Sequence, residues 1–394
     1  MNYNKYINSF ADSNEYNAYI ESDNAYSPNI GFIEQTKQVK WAEKVMKDCI
    51  FYGTTKGTAD FMIGSSVDDG TADCIKVHVV PSTDGSDNIM YATKEDIFKT
   101  PVQLMRINTG ITSVEKWKID TSNVTDMGAM FYHCESLTSL DLSNFNTSNV
   151  TDMGRMFDNC SGLTSLDLSS FDTSNVTDMG SMFCDCSALT SLDLSSFNTS
   201  RVMFMPSMFY NCSALTSLDL SSFDTSNVNN MAGMFGDCTA LTSLDLSSFN
   251  TSRAIVMGNM FNNCSALTSL DLSSFDTSNV MFMPSMFGNC SGLTSLDLSS
   301  FDTSNVNNMA SMFNNCKALT SLTLTSSFFN SSTVKKFDFS GLTSWTEATS
   351  LSQFVNAISS KDGTGKTVKL STATNNALTT EQKNSITSKG WTIA

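Results

Sequence analysis

Cys134, Cys160, Cys186, Cys212, Cys238, Cys264, Cys290 and Cys316 stand 26 residues apart without a break. A fixed period of this length means that the chain between residues 119 and 326 is one small supersecondary unit written eight times. The Met-Phe pair keeps the same step, from Met130-Phe131 to Met312-Phe313. The unit reads Phe-Asp/Asn-Thr-Ser-Asn-Val-x-x-Met-x-x-Met-Phe-x-x-Cys-x-x-Leu-Thr-Ser-Leu-Asp-Leu-Ser-Ser. One such unit cannot bury its own apolar residues, so each copy must stack on the next, and stability becomes a sum of nearest-neighbour terms.

Within the unit, Leu-Thr-Ser-Leu-Asp-Leu ends in the alternation of a half-buried strand. Met-x-x-Met-Phe-x-x-Cys, for example Met179 to Cys186, repeats apolar residues at i, i+3, i+4 and i+7, which predicts a short returning helix or 3₁₀ turn. Asp172-Thr-Ser-Asn175 and its equivalents are turn formers that bring the chain to Val176 and back into the core. At about 4.8 Å per paired strand, eight stacked coils reach about 38 Å.

These residues resemble the BspA-type leucine-rich repeat, in the variant found in mycoplasma-type surface proteins. The resemblance implies an α/β leucine-rich repeat solenoid of eight 26-residue coils with N- and C-terminal capping regions. It also implies a cell-surface, adhesive role without a shared catalytic residue. A second resemblance lies near the start. Phe10-Ala-Asp-Ser-Asn-Glu-Tyr-Asn-Ala-Tyr-Ile-Glu-Ser-Asp, with Pro28-Asn-Ile-Gly-Phe-Ile-Glu and Val39-Lys-Trp41, looks like a short module on structural proteins of tailed phages of gut Bacteroidales, including crAss-like phages. It implies a mounting point on other virion proteins.

Four segments follow. Residues 1–58 are expected to form a small αβ anchor, with Asp12 and Glu15 as a capping box and Tyr16, Tyr19 and Ile20 on one helical face. Residues 59–118 form a β-rich N-terminal cap, in which Cys74–Val80 and Ile89–Thr93 make a hairpin and Trp117 could cover the open end of the first coil. Residues 119–326 are the repeats. After Ser326 the pattern slips by one residue, and 327–394 form a C-terminal cap with a helix near 351–359, a strand at 368–370, a helix opened by a Thr379–Gln382 capping box and closed at Gly390, and a last strand at Trp391-Thr-Ile.

Acidic residues outnumber basic ones 39 to 23, for a net charge of −16, which argues against nucleic acid and anionic membranes as partners. No apolar run is long enough to span a bilayer, and the first residues show no secretion signal. The expected location is therefore a virion surface, reached by host lysis, or else an extracellular cell surface.

The chemical motifs are weak. The cysteines share one inward column, so they cannot converge on zinc and serve better as small core residues. Cys184 and Cys186 form a lone C-x-C. Asp362-Gly-Thr-Gly-Lys-Thr367 imitates a phosphate loop but has Ser360 where glycine is required. His78 and His133 have no recurring nucleophile or carboxylate beside them. The acidic loops 68–73 and 84–87 lack the spacing of a calcium loop. No catalytic residue, metal or cofactor is expected.

Two columns remain as candidate binding positions. Asp141, Asp167, Asp193, Asp219, Asp245, Asp271 and Asp297 sit between inward leucines and so face outward as a row of like charges. Such a row needs Ser and Thr hydroxyls, cations or a basic partner to offset repulsion. The two residues after the valine vary most: Thr-Asp or Asn-Asn in five copies, but Met203-Phe204, Ile255-Val256 and Met281-Phe282 in the others. Apolar pairs at an otherwise polar position suggest a contact surface for a host-surface protein or glycan. Repeats four and five closely match seven and eight, so duplication of a 78-residue block could also have copied Met-Phe.

Overall fold

The computed structural model describes residues 49–58, 61–64, 74–80, 86–93, 110–117, 121–358 and 365–394. The expected anchor helix, the acidic loop 68–73 and the start of the Asp362–Thr367 segment lie outside them. So does the side chain of Trp117.

Six strands open the described fold: β1 (Cys49–Thr55), β2 (Phe61–Gly64), β3 (Cys74–Val80), β4 (Asn88–Thr93), β5 (Ile111–Trp117) and β6 (Ser139–Leu140), in the order β2-β3-β4-β1-β5-β6. The expected hairpin is present, with Val79 opposite Met90 and Val80 opposite Ile89. β1 pairs with both β4 and β5, so residues on the near side of the expected boundary at 58 share a sheet with those beyond it. Gly53 is required there, because a Cβ would lie 2.0 Å from the Ser113 carbonyl oxygen.

β5 joins this sheet to the repeats. It runs parallel to β6, with Ser113 opposite Ser139 and Val114 opposite Leu140, which is the 26-residue step of the repeats. Ile111-Thr-Ser-Val114 is thus a degenerate copy of Leu137-Thr-Ser-Leu140, and the periodic stack begins before residue 119.

The Met-x-x-Met-Phe-x-x-Cys segment is not a helix. Alternate residues close tight turns in their own repeat, as in Met130 N–H to Met127 O (3.3 Å), Tyr132 N–H to Ala129 O (3.1 Å) and Cys134 N–H to Phe131 O (3.1 Å). The residues between donate to the following repeat, as in Ala129 N–H to Gly154 O (2.8 Å) and Phe131 N–H to Met156 O (2.8 Å). This alternation needs left-handed backbone twice per unit, at Ala129 (φ 58°) and His133 (φ 60°) in the first copy and at Ser207 (φ 54°) and Asn211 (φ 53°) in the fourth. Asn or Asp stands immediately before the cysteine in every copy but the first, and these residues tolerate that conformation. The helical spacing arose because overlapping turns of three-residue span bury the same positions that a helix would.

The expected strand is also reduced. Leu-Thr-Ser-Leu-Asp-Leu forms ladders at β6 and between β7 (Ser295–Asp297) and β8 (Ser321–Thr323). Elsewhere single bonds such as Thr190 N–H to Thr164 O (3.4 Å) hold it. The unbroken column of parallel bridges instead runs Asp126, Asp152, Asp178, Phe204, Asn230, Val256, Phe282, Asn308.

Side chains supply the remaining links. Phe183 is fully buried and stacks on Phe157 and Phe209 at 5.7 and 5.8 Å between ring centroids. Each buried threonine of the Thr-Ser-Asn turn serves the next repeat twice. The Thr225 hydroxyl accepts from Asn250 N–H (2.8 Å) and donates to Asn250 O (2.9 Å). The cysteines are free and buried, and their thiols donate to the phenylalanine carbonyl of the preceding repeat, as in Cys186 to Phe157 O (3.1 Å). Burial pushes the Cys186 thiol up to about 12, so it remains a proton donor near neutral pH.

Beyond Ser326 a 3₁₀ turn (Ser326–Phe329) precedes β9 (Lys336–Phe339), α1 (Ala348–Ala357), β10 (Thr367–Leu370), α2 (Thr372–Ala377), α3 (Thr380–Ser388) and β11 (Thr392–Ile393). The reciprocal Thr379–Gln382 capping box opens α3, and Gly390 follows it at φ 83°. β9, β10 and β11 form a parallel sheet. The one-residue slip does not end the stack, since Phe339 lies 5.5 Å from Phe313 and extends the phenylalanine column. The fold is therefore mixed and sheet-rich with few helices, all of those among the described residues lying in the C-terminal segment. None is long and apolar enough to cross a membrane.

Candidate interaction surface

The aspartate column is tied into the backbone. Each of Asp141, Asp167, Asp193, Asp219, Asp245, Asp271 and Asp297 accepts the N–H of the serine two residues on, at 2.8 to 3.0 Å. The Ser169 hydroxyl and N–H hold Asp167 below the usual carboxylate range. The serine N–H, followed by its hydroxyl, does the same for Asp193, Asp219, Asp245 and Asp271. Repulsion between neighbours is smaller than these hydrogen bonds at Asp193. The column closes turns, and each carboxylate spends one oxygen on its own repeat.

The variable pairs sit on the bridge column and the one beside it. Met203 (42% exposed), Phe204 (39%), Ile255 (41%), Met281 (40%) and Phe282 (42%) are the exposed large apolar side chains of the described residues, and Val256 is half-buried. All three pairs occupy one face, because positions one period apart stack in register.

A local exchange accompanies the apolar pairs. Asp126, Asp152 and Asp178 accept the N–H of Gly128, Gly154 and Gly180 at 2.7 to 2.8 Å, and Asn230 and Asn308 do so for Ala232 and Ala310 at 3.0 Å. Phenylalanine cannot accept, and where Phe204 and Phe282 replace the acceptor, the residue two on is Pro206 or Pro284, which has no N–H to satisfy. Pro284 packs on Gly258, where a Cβ would meet its Cδ at 2.9 Å. Val256 lacks this compensation, being followed by Gly258.

Met203, Ile255 and Met281 line a groove of about 900 Å³ together with Arg201, Arg253 and a file of asparagines that includes Asn227 and Asn279. The asparagines hold successive repeats through their side-chain N–H, as in Asn227 to Ser200 O (2.7 Å). Arg201 donates to Asn175 Oδ1 (3.0 Å) and Arg253 to Asn227 Oδ1 (2.7 Å). Further along the bridge column, Asp126, Asp152 and Asp178 line a smaller, acidic groove of about 380 Å³ with Arg155. Sequence reading found the apolar pairs but not the arginines, although both stand where other copies carry asparagine.

Other candidates are occupied by structural contacts. His133 meets Asn159 at 2.8 Å, and the His78 ring lies 5.3 Å from that of Tyr91. Ligand atoms of Asp158, Cys184 and Asp185 lie within 4.8 Å of one another, and the Cys184 thiol donates to Asp185 Oδ2 at 3.3 Å. Burial, then the Asp185 charge, raises Asp158, so this cluster is a hydrogen-bonded patch between repeats two and three.

No curated protein matches the chain. Among solved structures, a chain from the "Crystal structure of TLR13-ssRNA13 complex" is similar at 16% identity and a TM-score of 0.16, over 63% of this chain and 49% of that one. This chain thus spans about half the length of that relative, and a score so low bears on neither fold nor ligand. A family profile matches three times, over residues 102–217, 185–294 and 242–354. The overlaps follow from the internal period, and the outer limits take in both β5 and the Phe339 turn. With well over half of its residues matched, the chain belongs to the family described as Mycoplasma protein of unknown function, DUF285.

Proposed function

We propose that the chain is a non-catalytic interaction scaffold, an eight-coil leucine-rich repeat solenoid whose apolar strip contacts a host-surface protein or glycan. The carrying observation is that the exposed large apolar side chains of the described residues all come from the variable pairs and all lie on one face. Exposed apolar side chains gathered in one strip favour a partner that removes them from water. The Pro206 and Pro284 exchange supports the same reading, since the backbone is adjusted where the strip replaces the turn-closing carboxylates.

Arrays of host-surface proteins and glycans, probed with the wild type and with F204S/F282S, test this. Specific binding that weakens in a variant of unchanged thermal stability supports the scaffold. Binding indifferent to the strip sinks it.

For location, the N-terminal resemblance favours a phage virion appendage, with the anchor segment held by other virion proteins. Membership of a family of Mycoplasma proteins favours the second reading, a bacterial surface adhesin. Mass spectrometry of purified virions separates the two: recovery only from bacterial envelopes removes the phage reading.

A further inference from the structure

We infer that the groove over Met203, Ile255 and Met281 takes an extended, acidic segment of a partner polypeptide, with carboxylates about 10 Å apart and apolar side chains between them. This rests on reading the stack as an interaction scaffold and names the chemistry of its partner.

Charge distribution carries the argument. Between residues 119 and 326 the lysines and arginines are Arg155, Arg201, Arg253 and Lys317, in a chain of net charge −16. Two of these four flank one groove, and no carboxylate lines it. Each of the two is held by a bond to the asparagine of the preceding repeat. That bond uses one of five guanidinium N–H donors and orients a fork suited to a carboxylate.

Arg201 and Arg253 are two repeats apart, which places them about 10 Å from each other along the stack. A polyproline II segment has about three residues per turn and rises about 3.1 Å per residue, so an acid at every third position repeats on one face at nearly that spacing. Its intervening apolar side chains meet the methionine and isoleucine floor, whose flexible thioethers adapt to different shapes.

A nucleic acid or a polyuronate fits worse. Such a polymer is charged at every unit, and the bridge column continues from Phe204 into Asp178, Asp152 and Asp126, which repel a continuous polyanion. The apolar floor also leaves hydroxyls and phosphates without partners.

The test is fluorescence anisotropy on the full chain with a labelled peptide of four Glu-Leu-Ser repeats, compared with Gln-Leu-Ser and Glu-Ser-Ser peptides. The expected result is saturable binding that weakens with salt. The Gln-Leu-Ser peptide, or the R201Q/R253Q variant, should weaken it about tenfold, the combined effect of two exposed ion pairs. In R201Q/R253Q the Glu and Gln peptides should bind alike.

The inference is overturned by equal binding of Glu and Gln peptides to the wild type, by the absence of saturable binding, or by tighter binding of a uronate oligosaccharide or single-stranded RNA. The wild-type peptide comparison decides even if the double variant folds poorly. If the peptide fails while array binding remains strip-dependent, this inference falls and the scaffold reading stands. If neither responds to the strip, both fall.

Discussion

Replacing Thr225 by valine keeps the shape of the side chain and removes one hydroxyl, which in the folded protein accepts from Asn250 N–H at 2.8 Å and donates to Asn250 O at 2.9 Å. Thr225 is fully buried whereas Asn250 is exposed, so water restores only part of what the Asn250 backbone loses. An unpaired buried donor or acceptor costs about 1 to 3 kcal/mol, so two cost about 2 to 6. The valine methyl returns about 1 kcal/mol of apolar burial, leaving a net loss of about 1 to 5 kcal/mol, with water at the exposed Asn250 favouring the lower half. Because repeats couple mainly to neighbours, the damage concentrates between repeats five and six. Urea unfolding followed by far-ultraviolet circular dichroism gives the loss, and hydrogen exchange of the peptide carrying Asn250 gives its location. Thr225→Ser is the control, keeping the hydroxyl at a cost of about 1 kcal/mol for the missing methyl. A valine variant within about 0.5 kcal/mol of wild type, or a serine variant equally destabilised, would refute the account of threonine as the staple between coils.

Phe183→Ala should cost about 3 to 5 kcal/mol, because the ring is fully buried between Phe157 and Phe209; an unchanged denaturation midpoint contradicts the stacked column. Phe204→Asp alone cannot close the turn that Asp178 closes with Gly180 (2.7 Å), since Pro206 has no N–H. With Pro206→Gly it can, so a double-mutant cycle should show about 1 kcal/mol of favourable coupling, and additive effects would disprove the exchange. Asp167, Asp193, Asp219, Asp245 and Asp271 are held below their ordinary range, so they stabilise the fold above about pH 4, and this stability is lost as pH falls through their lowered values. Asp152 and Asp158, raised chiefly by burial, act in the opposite sense. Changing the five to asparagine should flatten the acid limb of stability against pH, and an unchanged limb would remove the turn-closing role.

The C-terminal helices show what was legible in sequence. Thr379 and Gln382 satisfy one another within four residues, so α3 could be read locally and is present. β9 and α2 were not anticipated: Lys336–Phe339 is short, and its pairing with β10 joins segments some thirty residues apart. The arginines of the groove passed unnoticed because an Asn-to-Arg change between copies carries no meaning until stacking places it beside an apolar strip that spans repeats four to seven.

The 26-residue period fixed by sequence alone that like residues stand over like, which sets the columns of cysteine, phenylalanine and aspartate and the inward valines. Periodicity records which residues are buried, not how the backbone returns. Overlapping turns of three-residue span and a helix bury the same methionines, and only the tertiary structure chose the turns, because alternate N–H groups gain partners in the next repeat that a helix would keep for itself. The same stacking decided where the period begins and ends, drawing in Ile111-Thr-Ser-Val114 and Phe339. It also gathered Met203, Ile255 and Met281, the first residue of each variable pair, and two arginines, scattered over 81 positions from Arg201 to Met281, into one groove.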